Sequence, residues 1–215
     1  MELAARTAAW RPSGTPLPYD AEVAWLEFGC AQAIWIGEPN VTSANVVDIR
    51  FSVHVLPHIV TDDYYYVSGW WQTNKKTSCL RILEGGELSW LKPGSPRTIA
   101  TVGVGDEVLF RAYSEGFVQV NGVSVYAGDT HITSRRILGA STTNVSVDEI
   151  RFPTDNGIAV RYSGYTIYDN ITDMTPEVDL IPVRVGQTGY MYDRISGSFY
   201  GNAGTGSFTL GPDKL

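Results

Sequence analysis

Residues 46 to 55 read VVDIRFSVHV. Val47, Ile49, Phe51, Val53 and Val55 alternate there with Asp48, Arg50, Ser52 and His54. A period of two places the two sets on opposite faces of an extended strand, one predicted to meet a core and the other water. Other stretches follow the same plan between turn signals. FVQVNGVSVY sets Asn121-Gly122 between β-branched runs, and Asn-Gly tolerates the positive φ angles of a tight hairpin. EVLFRAY leads into it through SEG, so residues 107 to 126 are expected to form a three-strand meander. GIAVRYSGYTIYD repeats the plan, with Ser163-Gly164 as its break.

Helical patterning is scarce. Only ELAARTAAW at the start carries good helix formers, and Pro12 ends it after about two turns. Short strands at roughly ten-residue spacing point to an all-β chain, an antiparallel sandwich rather than a parallel sheet with crossover helices. At 215 residues, with 43% hydrophobic and 12% aromatic residues, it can bury a sizeable core as one unit. Residues 1 to 18, with three prolines and little alternation, read as an arm or tether outside a domain spanning 19 to 215.

The formal charge of −7, with no Lys/Arg cluster, argues against nucleic acid as a partner. No apolar run approaches the roughly 18 residues of a spanning helix, and the first residues lack the basic start and apolar core of a signal peptide. Membrane insertion is therefore not expected. Cys30 and Cys79 are the only cysteines, too few for a zinc site. Without an export signal the reading favours two buried thiols over a disulfide.

The segment IPVRVGQTGYMYDRISGSFYGNAGTG, residues 181 to 206, is dense in glycine. YMYD and SFYG read as short aromatic strands flanking RISG, with Gly201, Gly204 and Gly206 bending the chain into a last strand, SFTL. A phosphate loop would need GKS or GKT and a following helix, and the sequence has neither. Together with TIYDN, AWLEFGCAQAIWIG at 24 to 37 (Leu26, Glu27, Gln32, Ile34, Gly37) and FVQVNGV, this segment resembles a laminin-G-like, concanavalin A-like lectin family of phage, prophage and gut-bacterial surface proteins. The resemblance implies a jelly-roll β-sandwich that binds glycans or other surface ligands, located on a virion or cell surface. Phe28-Gly29-Cys30-Ala31 and the apolar run from Ala33 to Ile36 depart from the family's polar pattern, and are expected to face a neighbouring subunit.

Retaining glycosidases of the same fold place carboxylates about 5 Å apart from an E-x-D-x-E strand. No such triplet occurs, and adjacent Asp148 and Glu149 would point to opposite faces. His54 and His58 share no helix, Pro57 intervening, and His131 has no nucleophile elbow to serve. The expectation is a protein that is not an enzyme and has no cofactor or metal site, with Asp62-Asp63 and Asp169-Asn170 as solvated loop acids rather than calcium ligands. The sequons at Asn40, Asn144 and Asn170 matter only in a eukaryotic secretory pathway. DDYYYVSGWW is the candidate binding stretch. Tyr64, Tyr66, Trp70 and Trp71 offer flat faces on which sugar rings stack. The expected function is that of a non-enzymatic adhesin for a surface glycan. The alternative is a virion structural protein, a capsid decoration or fibre subunit, that contacts other subunits or copies of itself.

Overall fold

The computed structural model describes residues 16–29, 32–36, 44–57, 65–72, 75–92, 95–130, 137–139, 158–204 and 206–215. In chain order the strands are β1 Ala21–Glu22, β2 Leu26–Gly29, β3 Ala33–Trp35, β4 Val46–Val55, β5 Tyr65–Gln72, β6 Lys75–Ile82, β7 Glu87–Lys92 and β8 Ser95–Thr101. They continue as β9 Glu107–Ala112, β10 Gly116–Val120, β11 Val123–Gly128, β12 Ile137–Gly139, β13 Ala159–Tyr168, β14 Pro176–Val185, β15 Thr188–Asp193, β16 Phe199–Tyr200 and β17 Thr209–Leu210. A 3-10 turn at Glu84–Gly86 is the one helical element among the described residues.

All pairings between these strands are antiparallel. The larger sheet runs β11-β10-β9-β4-β13-β14-β15-β16, with β1 on β14, β2 on β13 and β17 on β2. The smaller runs β3-β12-β5-β6-β7-β8. Val47, Ile49, Phe51 and Val53 of β4 share one core cluster with Val67, Leu80, Ile82 and Leu88 of the smaller sheet. The chain is an antiparallel jelly-roll β-sandwich, as expected. Each large apolar side chain taken from water contributes about 1.5–3 kcal/mol, so the alternating pattern of β4 fixes which face turns inward. Val55, expected to continue that face, is exposed: it still pairs with Ala159, but the register slips at His54, between the Val53–Val160 and Val55–Ala159 pairs, which shifts the alternation.

The meander at 107 to 126 forms as β9, β10 and β11, and its hairpin has φ of 51° at Asn121 and 78° at Gly122. Ser163-Gly164 is not a turn. β13 runs unbroken through it, pairing with β4 along its length, and the register slips by one residue between Tyr162 and Gly164. Such a bulge shifts the phase of alternation. Val160 and Tyr162 point into the core before it, and Tyr165 and Ile167 after it.

Beyond the shared apolar core, hydrogen bonds join the sheets at two places among the described residues. Tyr162, fully buried in β13, donates its hydroxyl to the Val67 carbonyl of β5 at 2.6 Å. The glycine-rich C-terminal segment supplies the other. Asn202 accepts from the Ala33 amide of β3 at 3.1 Å and from Gly204 at 2.9 Å, while the Ala203 amide donates to the Ala33 carbonyl at 2.8 Å. Gln32 reaches the Ser207 carbonyl at 2.7 Å. The segment is therefore a strap between the finish of the chain and the start of the smaller sheet. Its RISG turn is held by buried Asp193, whose carboxylate accepts from the Ile195 amide and the Ser196 hydroxyl.

Phe28, Ala33, Ile34 and Ile36 are buried core residues, which corrects the expectation that they face a subunit. Phe28 stacks on Phe208 with centroids 4.1 Å apart and lies 4.7 Å from the Tyr162 ring. The apolar replacements fill the sandwich. Tyr162→Phe should lower stability by about 1–3 kcal/mol, since it leaves the buried Val67 carbonyl without its donor while keeping the ring. Urea unfolding would register this as a lower midpoint at unchanged slope, and an unchanged midpoint would show that the inter-sheet bond contributes nothing.

Candidate functional site

The polar face of β4, opposite its core face, is the centre of a charged ladder on the outside of the larger sheet. Strand register sets three rows of side chains. In one, Glu27, Arg161, Ser52 and Glu107 follow across β2, β13, β4 and β9. In the next, Gly164, Arg50, Leu109 and Gln119 follow across β13, β4, β9 and β10. In the third, Thr166, Asp48, Arg111 and Phe117 cross the same four strands.

The first and third rows are internally paired. Asp48 is fully buried and accepts from Arg111 through both oxygens, at 2.7 Å from Nε and 2.8 Å from the terminal nitrogen. This two-point geometry offsets the cost of burying the carboxylate. The Asp48 hydrogen bonds hold the Arg111 guanidinium still further above its ordinary range, against the opposing effect of burial. Arg111 also lies over the Phe117 ring at 4.9 Å. Glu27 takes Arg161 at 2.8 Å and the His54 ring at 2.6 Å. Arg161 in turn covers the Trp25 ring at 4.0 Å, a cation–π contact. Trp25 precedes β2 and is fixed by Gly211, whose amide donates to the Trp25 carbonyl at 2.9 Å. A side chain at Gly211 would stand 2.8 Å from the indole.

The middle row opens into a cleft of about 320 Å³. Arg50, Ser52, Glu107, Leu109, Gln119, Arg161 and Ser163 line it, with Trp25 at one end. Its volume is at the small end of ligand clefts, and guanidinium, amide, hydroxyl and indole groups converge in it. One rim is the hairpin turn at Gly122. There Asp106 accepts from the Gly103 amide and from the Asn121 side chain, each at 2.7 Å. Asn121 also accepts from the Glu107 amide at 3.0 Å.

The residues chosen from the sequence lie elsewhere. The backbones of Tyr66, Trp70 and Trp71 belong to β5 of the smaller sheet, so this stretch is not part of the cleft. Tyr64 lies outside the described residues, as do the side chains of Tyr66, Trp70 and Trp71. Cys30, His58, His131, Asp62-Asp63, Asp148, Glu149, Asn40 and Asn144 also lie outside them. Asp169 and Asn170 spend their carboxylate and amide oxygens closing their own turn, on the amides of Asn170, Thr172, Asp173 and Thr175. Among the described residues no three acidic, histidine or cysteine side chains gather as metal ligands, and no helix is long and apolar enough to cross a membrane.

Arg50 and Ser52, the cleft's polar side chains from β4, belong in the sequence to the polar half of an alternating strand, which predicts only that they face water. On that half Asp48, Arg50, Ser52 and His54 follow one another, and three ionisable side chains among four positions are the signal the sequence offers.

The hydrogen bond from Gly103, then that from Asn121, hold the Asp106 carboxylate below its ordinary value of 3.8. Its folded value is below its unfolded one, so the rim is fully clamped above the ordinary value and loosens as pH falls through the lowered one. The Gly103 amide proton in an NMR titration should accordingly shift with a midpoint below 3.8. A midpoint at or above that value would mean that the clamp is absent in solution.

No family model matches the chain, and no curated protein matches it. Among solved structures it is similar to alginate lyase AlgAT5 from polysaccharide lyase family 7, at 16% identity and a TM-score of 0.37, over 58% of each chain. A likeness at that level transfers neither site nor substrate. The matched protein is an enzyme, however, and the expectation that this chain is not one is corrected on that ground. The missing E-x-D-x-E triplet excludes one arrangement, hydrolysis by paired carboxylates on a strand, and is silent on chemistry done by other groups.

Proposed function

We propose that this chain is a saccharide-binding jelly-roll domain that uses the outer face of its larger sheet. The observation that supports this most directly is the cleft itself, where Arg50, Gln119, Ser52, Ser163 and Arg161 surround a space beside Trp25. Sugars present hydroxyls around a flat apolar ring face, so planar hydrogen-bonding groups beside an indole suit them. On this reading the domain works at a virion or cell surface, as the family resemblance implies, and several copies raise weak single-site affinity by avidity.

Two surfaces then compete for the role, the cleft and the Tyr66-Trp70-Trp71 stretch of β5. Glycan-array binding followed by calorimetry separates them. Trp25→Ala should weaken binding about tenfold or more, as the loss of an aromatic anchor does, while Trp70→Ala and Trp71→Ala should leave it unchanged. The opposite pattern would move the site to β5. Binding to no glycan would remove the proposal.

A second reading, protein–protein contact within an assembly, is favoured by the edge strand β11. It carries no charge over VSVYAG, and Val123 and Val125 are 64% and 49% exposed. Uncharged exposed edge strands invite pairing with another chain. Light scattering should then show an oligomer that Val125→Lys disperses to monomers. A monomeric wild-type chain would dismiss this second reading.

A further inference from the structure

The cations on this face of the sheet, Arg50 and Arg161 in the cleft and Arg111 in the row beside it, are not equivalent. Arg111 is spent on Asp48, and Arg161 on Glu27 and the Trp25 ring. Arg50 is different. Its cross-strand neighbours, Gly164 and Leu109, carry no charge. Its carboxylate contact is one terminal nitrogen at 3.4 Å from an Asp48 oxygen that Arg111 already holds at 2.8 Å. Among the described residues, its Nε and other terminal nitrogen therefore keep their donors free. Yet the side chain is only 27% exposed, so it lines the cleft rather than extending into solvent.

From this geometry we infer that Arg50 is an anion-recognising subsite, and that the saccharide bound in the cleft carries a carboxylate or sulfate group. The inference rests on the saccharide-binding reading above. Nε and the other terminal nitrogen lie on different edges of the guanidinium, so a two-point contact with a carboxylate pairs one of them with the second hydrogen of the nitrogen that touches Asp48, and partial burial strengthens both bonds. Neutral sugar hydroxyls would use those donors one at a time. Gln119, two strands away in the same row, and Ser163 from β13 offer hydrogen bonds to the hydroxyls beside the acidic group. Glu107, opposite Ser52 in the neighbouring row and also lining the cleft, disfavours an anion on its own side by like-charge repulsion.

The test uses matched probes on the full chain. Tetrasaccharides of glucuronate, galacturonate and mannuronate type and a sulfated tetrasaccharide are titrated against the protein, beside carboxyl-reduced or desulfated counterparts with the same linkages. At least one acidic probe should bind about 10- to 100-fold more tightly than its neutral counterpart, the range expected for a charge-assisted hydrogen-bonded pair. Arg50→Gln should abolish that preference, so that each acidic probe and its neutral counterpart bind the variant equally, whatever affinity for both is lost with the side chain. Arg50→Lys, which keeps the charge and loses the fork, should retain part of it. Thermal melting of each variant checks folding. Equal binding of acidic and neutral probes, or a preference that survives Arg50→Gln, would overturn the anionic subsite and leave saccharide binding intact. Binding to none of the probes, acidic or neutral, by a folded chain would overturn both.

Discussion

The structure hangs on β13. This strand pairs with β4 along one edge and with β2 and β14 along the other, and from its centre Tyr162 reaches across the core to the Val67 carbonyl. A buried carbonyl without a donor is costly, so the ring and the hydroxyl together set both the spacing and the lateral position of the two sheets. The bulge beside Tyr162 has a second effect. By slipping one residue, β13 delivers Arg161 and Thr166 to the outer face while keeping Val160, Tyr162, Tyr165 and Ile167 inside. Core and cleft are therefore set by the same irregularity.

Sandwich and meander were legible because alternation and Asn-Gly are local signals that tertiary packing reinforces. Ser163-Gly164 misled for a physical reason. Serine and glycine favour both turns and bulges, and only the unbroken partner β4 decides between them. Phe28 and Ile34 were assigned outward because the comparison was with polar family positions, yet the stack of Phe28 on Phe208 closes the core. The cleft was the least legible part. It assembles from the residues just before β2 and from β4, β9, β10 and β13, and no stretch of sequence brings Trp25, Arg50, Gln119 and Arg161 together.

On the outer face, charge is arranged so that pairing uses most of it. The Asp48–Arg111 and Glu27–Arg161 pairs are held by register and by aromatic backing from Phe117 and Trp25. Such pairs contribute more to orientation than to stability, because desolvation offsets much of the attraction. They leave the groups between them pre-oriented, which lowers the ordering cost of binding.

The position of β13 also governs how the chain is made. Arg50 and Ser163 face the same neighbourhood although 113 residues separate them, an interval of on the order of 10 s of synthesis. Throughout that time the long edge of β4 has left the ribosome without the strand that will cover it. Asp48, Arg50 and His54 punctuate that edge, and alternating charges are what keep an unpaired strand from joining its neighbours on a polysome. The charges that build the outer ladder of the finished domain are thus of the kind that suits β4 to that wait.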